Sequence, residues 1–291
     1  MVIVVVAGGT GGIGRTIVEE LIQKGNHKVL ILTRKATTIP GLESVTMLEA
    51  NYADPVAITQ LLQHHNVEVV ISALALFTEE SANARMHLID AAIDSGTVTR
   101  FIPSEYGTLR KSHLDFTRVI FGWLLDHYGF PHCKSHMKPF KFALDFDNRM
   151  AAIPGDGEAH VTFLHSVDIA KYVVALLGEE GRWPETSAFA SDRMTWNELI
   201  TLAEDIMGEK WDVTYESLEQ LEMGETTLFK QPEGSYHLPE EAARQMVAEW
   251  GIMAVKGVMD ASGEGVRNDD FPDVQPITVE ALILEAWENK G

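Results

Sequence analysis

A glycine cluster near the N-terminus constrains this chain more than any other feature. Gly8-Gly9-Thr10-Gly11-Gly12-Ile13-Gly14 follows the apolar run at residues 2–7 and opens a helix-like segment at 12–24. The cluster reads as G-x-G-x-x-G from Gly9 or as G-x-x-G-x-x-G from Gly8. Glycine serves a strand–turn–helix of this kind in three ways: a tight turn, close backbone approach to a pyrophosphate, and close packing of helix on sheet. A pyrophosphate then rests on the helix N-terminus, where unpaired N–H groups and the helix dipole favour negative charge. The context makes Gly8 to Gly14 candidate cofactor-binding residues; a purely structural turn is the alternative.

Strand-like and helix-like stretches alternate through the first half. Strands are expected at 2–7, 28–33, 45–49, 67–72 and 100–103, and helices at 12–24, 55–64 and 80–95. In the first helix Ile13, Ile17, Leu21 and Ile22 share one side, and Gly25 stops it. Such alternation predicts an α/β fold with a doubly wound parallel sheet covered on both faces. The second half is less regular and mostly helical. A strand is expected at 161–164 and helices at 166–177, 239–250 and 278–287. Thr195-Trp196-Asn197-Glu198 is a capping box for a further helix that Gly208 closes. We expect a nucleotide-binding domain over 1–150, with 161–177 returning to it. A smaller, acidic substrate lobe over 178–291 is expected to interleave with it.

The end of the second strand refines the cofactor. An NAD site presents an acid there to the ribose hydroxyls, whereas an NADP site presents arginine to the 2′-phosphate. This chain reads Ile31-Leu32-Thr33-Arg34-Lys35. The planar fork of Arg34 suits a phosphate and Lys35 adds a second charge, which favours NADP(H); a solvated basic pair is the alternative. Asn51-Tyr52-Ala53-Asp54 follows the third strand, in a position to flank an adenine. Ser72, Ala73 and Leu74 end the fourth strand near the expected switch in strand order, where open α/β sheets bind ligands.

Charge narrows the partners. The net charge is −20, distributed as −1 over residues 1–150 and −19 over 151–291. Such a surface repels nucleic acid and anionic lipid. Apolar runs are too short to span a bilayer and no secretory signal opens the chain, so a cytoplasmic protein is expected. The lone Cys133 precludes an internal disulfide and fits a reducing compartment. His132-Cys133-Lys134-Ser135-His136 lacks further ligands at metal-site spacing and carries a repelling lysine, so no metal is expected.

These residues carry a resemblance. The GGTGGIG turn, Arg34, the segment Arg100-Phe101-Ile102-Pro103-Ser104-Glu105-Tyr106-Gly107 and the later His165-Ser166-Val167-Asp168-Ile169-Ala170 resemble the NmrA-like and isoflavone-reductase-like branch of the atypical short-chain dehydrogenases. The resemblance is strongest through residue 107 and over about 116–177, and it weakens towards the end. It implies a Rossmann-type fold and NADP(H), with Pro103 beside the cofactor. It also implies either reduction of a small, often aromatic or polyketide-like molecule of secondary metabolism, or cofactor sensing without turnover. Ser104, Glu105 and Tyr106 are the candidate catalytic or substrate-positioning residues. Reductases of this family usually carry a lysine some two dozen residues after the PSEYG motif. Here Gly107-Thr108 runs directly into Leu109-Arg110-Lys111-Ser112-His113-Leu114-Asp115-Phe116, and that lysine with its preceding loop is missing. Lys111 does not occupy the matching position. A Tyr-x-x-x-Lys pair is also absent, because Arg110 stands four residues after Tyr106.

Aromatic residues crowd the stretch from Phe116 to Phe146. They serve either as core or as the wall of a flat apolar pocket, and the resemblance favours the wall. Trp123, Tyr128 and His165 are the candidate substrate contacts. Three functions compete: an NADP(H)-dependent oxidoreductase on a small apolar molecule, a non-catalytic NADP(H) sensor, and a redox-neutral dehydratase or cyclase. Each would act with a small-molecule ligand, as a monomer or homodimer.

Overall fold

The computed structural model describes residues 1–74, 78–103, 109 and 112–288. The chain divides into two compact units, Met1–Val119 with Ile169–Ser187, and Ile120–Asp168 with Ala188–Gly291. The first crossing falls at 119/120, not at 150, and the returning segment is 169–187 instead of 161–177. The aromatic stretch after 120 supplies the core of the second unit, which takes that stretch out of the first.

The first unit contains β1 (Ile3–Ala7), α1 (Gly12–Lys24), β2 (Lys28–Thr33), β3 (Thr46–Glu49), α2 (Pro55–His64), β4 (Val69–Ser72), α3 (Glu79–Ser95), β5 (Arg100–Ile102) and β6 (Asp115–Phe116). The strands form one sheet in the order β3-β2-β1-β4-β5-β6. Every pairing is parallel. The fully buried runs Val4–Ala7 and Val69–Ile71 mark a sheet covered on both faces. Strand order reverses between β1 and β4, so the fold is a Rossmann-type doubly wound sheet with its switch point there. The returning segment is anchored on the far edge of the sheet. The Arg100 guanidinium donates to the carbonyls of Glu179 (3.1 Å) and Gly181 (2.7 Å), and the Trp183 N–H donates to Asp115.

The second unit is built from short strands and helices. β7 (Arg118–Ile120) leads into it, followed by β8 (Trp123–Leu124), α4 (Asp126–Gly129), β9 (Leu144–Asp145), β10 (Met150–Pro154) and β11 (His160–Leu164). α5 (Ser166–Leu176) and β12 (Thr186–Ala188) bracket the excursion to the first unit. Then come β13 (Asp192–Thr195), α6 (Trp196–Met207), β14 (Asp212–Glu216), α7 (Leu218–Glu222), α8 (Glu240–Val255) and α9 (Val279–Trp287). Two three-stranded sheets, β14-β10-β9 and β13-β11-β8, share this unit with the helices. The expected capping box is present: Thr195 Oγ1 accepts from the Glu198 N–H, Glu198 accepts from the Thr195 N–H, and Gly208 closes α6 in the left-handed region at φ 69°. α8 extends five residues beyond the expected end at 250, to Val255. Among the described residues no helix is long and apolar enough to cross a membrane.

Candidate functional site

The turn after β1 has the geometry that glycine alone permits. Gly8 takes φ +80°, and a Cβ there would stand 2.8 Å from the Ala73 carbonyl oxygen. Gly12 also has positive φ, at 51°. A Cβ on Gly14 would stand 2.3 Å from the Gly8 carbonyl oxygen and 3.0 Å from the Ala73 Cβ. The start of α1 is thereby pressed against the turn and the end of β4. Gly11 is the opposite case: it is exposed, and a Cβ there would meet nothing within 4 Å among the described residues. Its side of the turn is open to a ligand. No side chain caps the N-terminus of α1, and its first turn holds no acid. The leading N–H groups are therefore available to an anion.

Ser72 and Ala73 complete the switch point. Ala7 pairs with Ser72 across β1 and β4, and the Ala73 N–H donates to the Ala7 carbonyl at 2.9 Å. Thr10 and Ile13 are half-buried in the turn, while Pro103 is buried directly after β5. Ser104, Glu105 and Tyr106 lie outside the described residues, as do Arg110 and Lys111.

Beyond β2 and β3 a cleft of about 1130 Å³ opens in the first unit. Arg34 and Leu74 line it. Lys35 is exposed but is not part of the lining. Asn51, Tyr52 and Ala53 form one wall, while Asp54 turns to cap α2 by accepting from the Ala57 N–H at 3.0 Å. The Tyr52 hydroxyl donates to the Leu32 carbonyl at 3.0 Å, which ties this loop to β2, and burial raises its pKa. The other wall is α3, which adds Glu79, Glu80, Asn83, Ala84 and His87. No sequence motif pointed to these α3 residues. The signal that could have found them is the spacing of Glu80, Ala84 and His87, which puts them in one stripe of a helix that follows a strand end. The Arg34 guanidinium stands 4.0 Å from the Glu80 carboxylate, with both side chains more than four-fifths exposed.

The other candidates lie in the second unit. Tyr128 is 1% exposed, packed on Phe146 and Phe163, and its hydroxyl points to the Phe142 carbonyl. His165 is buried and both ring nitrogens face protein groups. Nδ1 accepts from the Val167 N–H at 3.2 Å, and Nε2 faces the buried Asp126 carboxylate at 3.5 Å. Asp126 also accepts from the N–H and hydroxyl of Ser166 and from the Ser135 hydroxyl. This cluster braces α4 against the start of α5. Trp123 is buried against Phe142 (4.7 Å) and Trp250 (5.2 Å), and its Nε1 has no hydrogen-bond partner among the described residues. The neighbouring His127 is similar: its Nδ1 is buried without a partner among the described residues, and burial pushes its pKa down to about 4. Cys133 sits against the Asp126 carbonyl, and burial pushes the thiol up to about 12, which disfavours the thiolate at neutral pH.

Known proteins resemble this chain in sequence and in fold. The model of the NmrA-like family matches residues 2–121. Oxidoreductase BOA1 of Botryotinia fuckeliana (strain B05.10) is 31% identical over 234 residues, covering 72% of this chain and 78% of the relative. The chain belongs to the NmrA-like family. A second relative, oxidoreductase swnN of Metarhizium robertsii (strain ARSEF 23 / ATCC MYA-3075), is 28% identical over 337 residues, covering 100% of this chain and 98% of the relative. That alignment is longer than the 291 residues of this chain, so swnN carries segments that this NmrA-like chain lacks. Among solved structures, the binary complex of leucoanthocyanidin reductase with NADPH from Vitis vinifera has a TM-score of 0.73 at 19% identity. The match covers 97% of this chain and 98% of that one, and it extends the likeness in fold over both units.

Proposed function

We propose that this chain is an NADP(H)-dependent oxidoreductase acting on a small apolar molecule, aromatic or polyketide-like, of secondary metabolism. One observation carries the proposal: the turn at Gly8, Gly12 and Gly14 is pressed onto Ala73, leaves the N-terminus of α1 uncapped, and stands in the same unit as a cleft lined by Arg34. The residues fit the cofactor. Backbone N–H groups of 12–14 take the pyrophosphate, the open face at Gly11 admits it, and Arg34 takes the 2′-phosphate. Bound NADPH supplies a hydride. The chain supplies orientation, which holds donor and acceptor within a short, aligned distance. The oxidoreductase names of BOA1 and swnN and the NADPH in the leucoanthocyanidin reductase complex support this reading.

On the substrate side, Tyr128 and His165 spend their polar atoms on their own unit. The Trp123 indole N–H has no partner among the described residues and lies within an aromatic surround, and we assign it to the substrate. Ser104, Glu105 and Tyr106 remain the proposed catalytic group. The missing family lysine favours a second reading, a sensor that binds NADP(H) without turnover. Titration with NADPH and NADH, followed by incubation of the NADPH complex with a panel of aromatic carbonyl and quinone compounds, separates the readings. Substrate-dependent loss of NADPH absorbance supports the reductase. Tight binding with no turnover across the panel supports the sensor, and conversion with NADPH unchanged supports redox-neutral chemistry. Failure to bind either nucleotide overturns all three.

A further inference from the structure

We infer that His87 and Asn51 together read the edge of the purine base and make the nucleotide site selective for adenine over hypoxanthine. The inference rests on the cofactor reading above and concerns the cleft between the Arg34 end and α3. Glu80 and His87 are seven residues apart on α3, about 10 Å along the helix. Arg34 and Glu80 therefore mark a charged end, and Asn51, Ala53, Ala84 and His87 a neutral one. With the 2′-phosphate held at Arg34, the base reaches the neutral end.

Two hydrogen bonds determine what that end offers. His87 Nδ1 lies 2.7 Å from the Tyr52 carbonyl oxygen. A carbonyl only accepts, so Nδ1 carries the proton, and in the neutral ring Nε2 is then an acceptor alone. Asn51 Oδ1 accepts from the Ala53 N–H at 3.0 Å, which leaves its NH₂ group as donor. Neither Nε2 of His87 nor Nδ2 of Asn51 has a hydrogen-bond partner among the described residues. The wall thus presents one acceptor and one donor, both positioned by backbone groups of the same loop, next to the apolar surfaces of Ala53, Ala84 and Leu74. Adenine is the complement: its exocyclic amino group donates, and the adjacent ring nitrogen accepts. In hypoxanthine a carbonyl replaces the amino group and sets an acceptor against the His87 lone pair. A site built to hydrogen-bond a group discriminates against the analogue that lacks it, because its own polar atom is then left unpaired.

The test is direct binding, independent of turnover. The protein is titrated with NADPH and with its deamino analogue, which keeps the 2′-phosphate, the pyrophosphate and the nicotinamide but carries hypoxanthine. We expect the deamino analogue to bind about tenfold more weakly. In His87→Phe, which keeps a flat ring and loses the acceptor, the ratio should approach one through a loss in NADPH affinity. Equal affinities in the unaltered protein overturn the inference and leave the cofactor reading standing, with no dependence on how the variant folds. An unchanged ratio in a folded His87→Phe also overturns it. Binding of neither nucleotide overturns the cofactor reading and this inference with it.

Discussion

The first unit is organised by backbone and the second by side chains. In the first, six strands run in parallel, and the glycine turn and the cleft both follow strand carboxyl ends. Gly14 illustrates the principle, since even a methyl group there would meet the Gly8 carbonyl at 2.3 Å. In the second, strands are two to five residues long and the interior is aromatic. Phe146 stacks on Trp287 and meets Trp211 edge-on at 4.9 Å; Trp196 lies fully buried against Phe142 and Phe163. Backbone geometry repeats across sequences of the same fold because phosphate recognition needs N–H groups, not particular side chains. A side-chain interior can be repacked while volume is kept.

The strongest challenge to this contrast is a pair of glycine substitutions. Gly14→Ala should unseat α1 from β4 and weaken NADPH binding by about a hundredfold or more, since a displacement near 1 Å costs that much in a positioned site. It should also lower the melting temperature. Gly11→Ala, whose Cβ meets nothing within 4 Å among the described residues, should leave the melting temperature unchanged and weaken NADPH alone. Equal loss of stability in both would mean that the turn is not pressed where these distances place it. In the second unit the corresponding substitution is Trp196→Ala. Removal of this fully buried side chain should cost about 3–5 kcal/mol in urea unfolding. Its effect on NADPH affinity, measured well below the unfolding transition, should be within about twofold if the units divide their work as described.

The contrast also separates what is legible in the sequence from what is not. β2 and α2 have their expected bounds, and α1 begins and ends where Gly12 and Gly25 indicate. Hydrophobic periodicity and glycine stops are local signals, and parallel strands buried on both faces write them plainly. β11 apart, no sequence pattern announces β6 or the strands of the two small sheets. Strands of two residues, such as Trp123–Leu124, have no period to detect, and this one pairs with Phe163 and Leu164, forty residues later. At the site, Arg34 is legible because its place after a strand is set by the fold. His87 is not, since its significance depends on a carbonyl thirty-five residues earlier. Tyr128 and His165 look like pocket residues by type. The carbonyl, the N–H and the buried carboxylate that they contact are not legible from residue type.

A smaller effect probes the aromatic interior through pH. His127 is held neutral by burial, with its pKa near 4 instead of the ordinary 6.5, and the neighbouring Asp126 only partly opposes this. The unfolded chain therefore takes up a proton between those two values while the folded chain does not. Stability should be constant above the ordinary histidine value and fall as pH drops through the window, by up to about 3 kcal/mol at its lower end. Urea unfolding at about pH 7 and about pH 5 measures it. His127→Phe should flatten this part of the profile, and a profile that keeps its slope would locate the acid sensitivity elsewhere.

The smallest effects concern charge at the cleft mouth, where the first unit relies on side chains after all. Arg34→Gln should weaken NADPH by about ten- to a hundredfold and leave NADH unchanged, because only NADPH brings a phosphate to that position. Glu80 presents the opposite case. Its pair with Arg34 is exposed at 4.0 Å, so its removal should not alter the melting temperature. A bound 2′-phosphate must nevertheless displace that carboxylate from Arg34 and tolerate Glu79 and Glu49 in the same lining. Glu80→Gln should therefore tighten NADPH a few-fold and NADH not at all, with the difference shrinking as salt screens the repulsion. If both nucleotides tighten equally, Glu80 acts on the ribose or on the shape of the cleft, and the charge contrast between the two cofactors has to come from Arg34 alone.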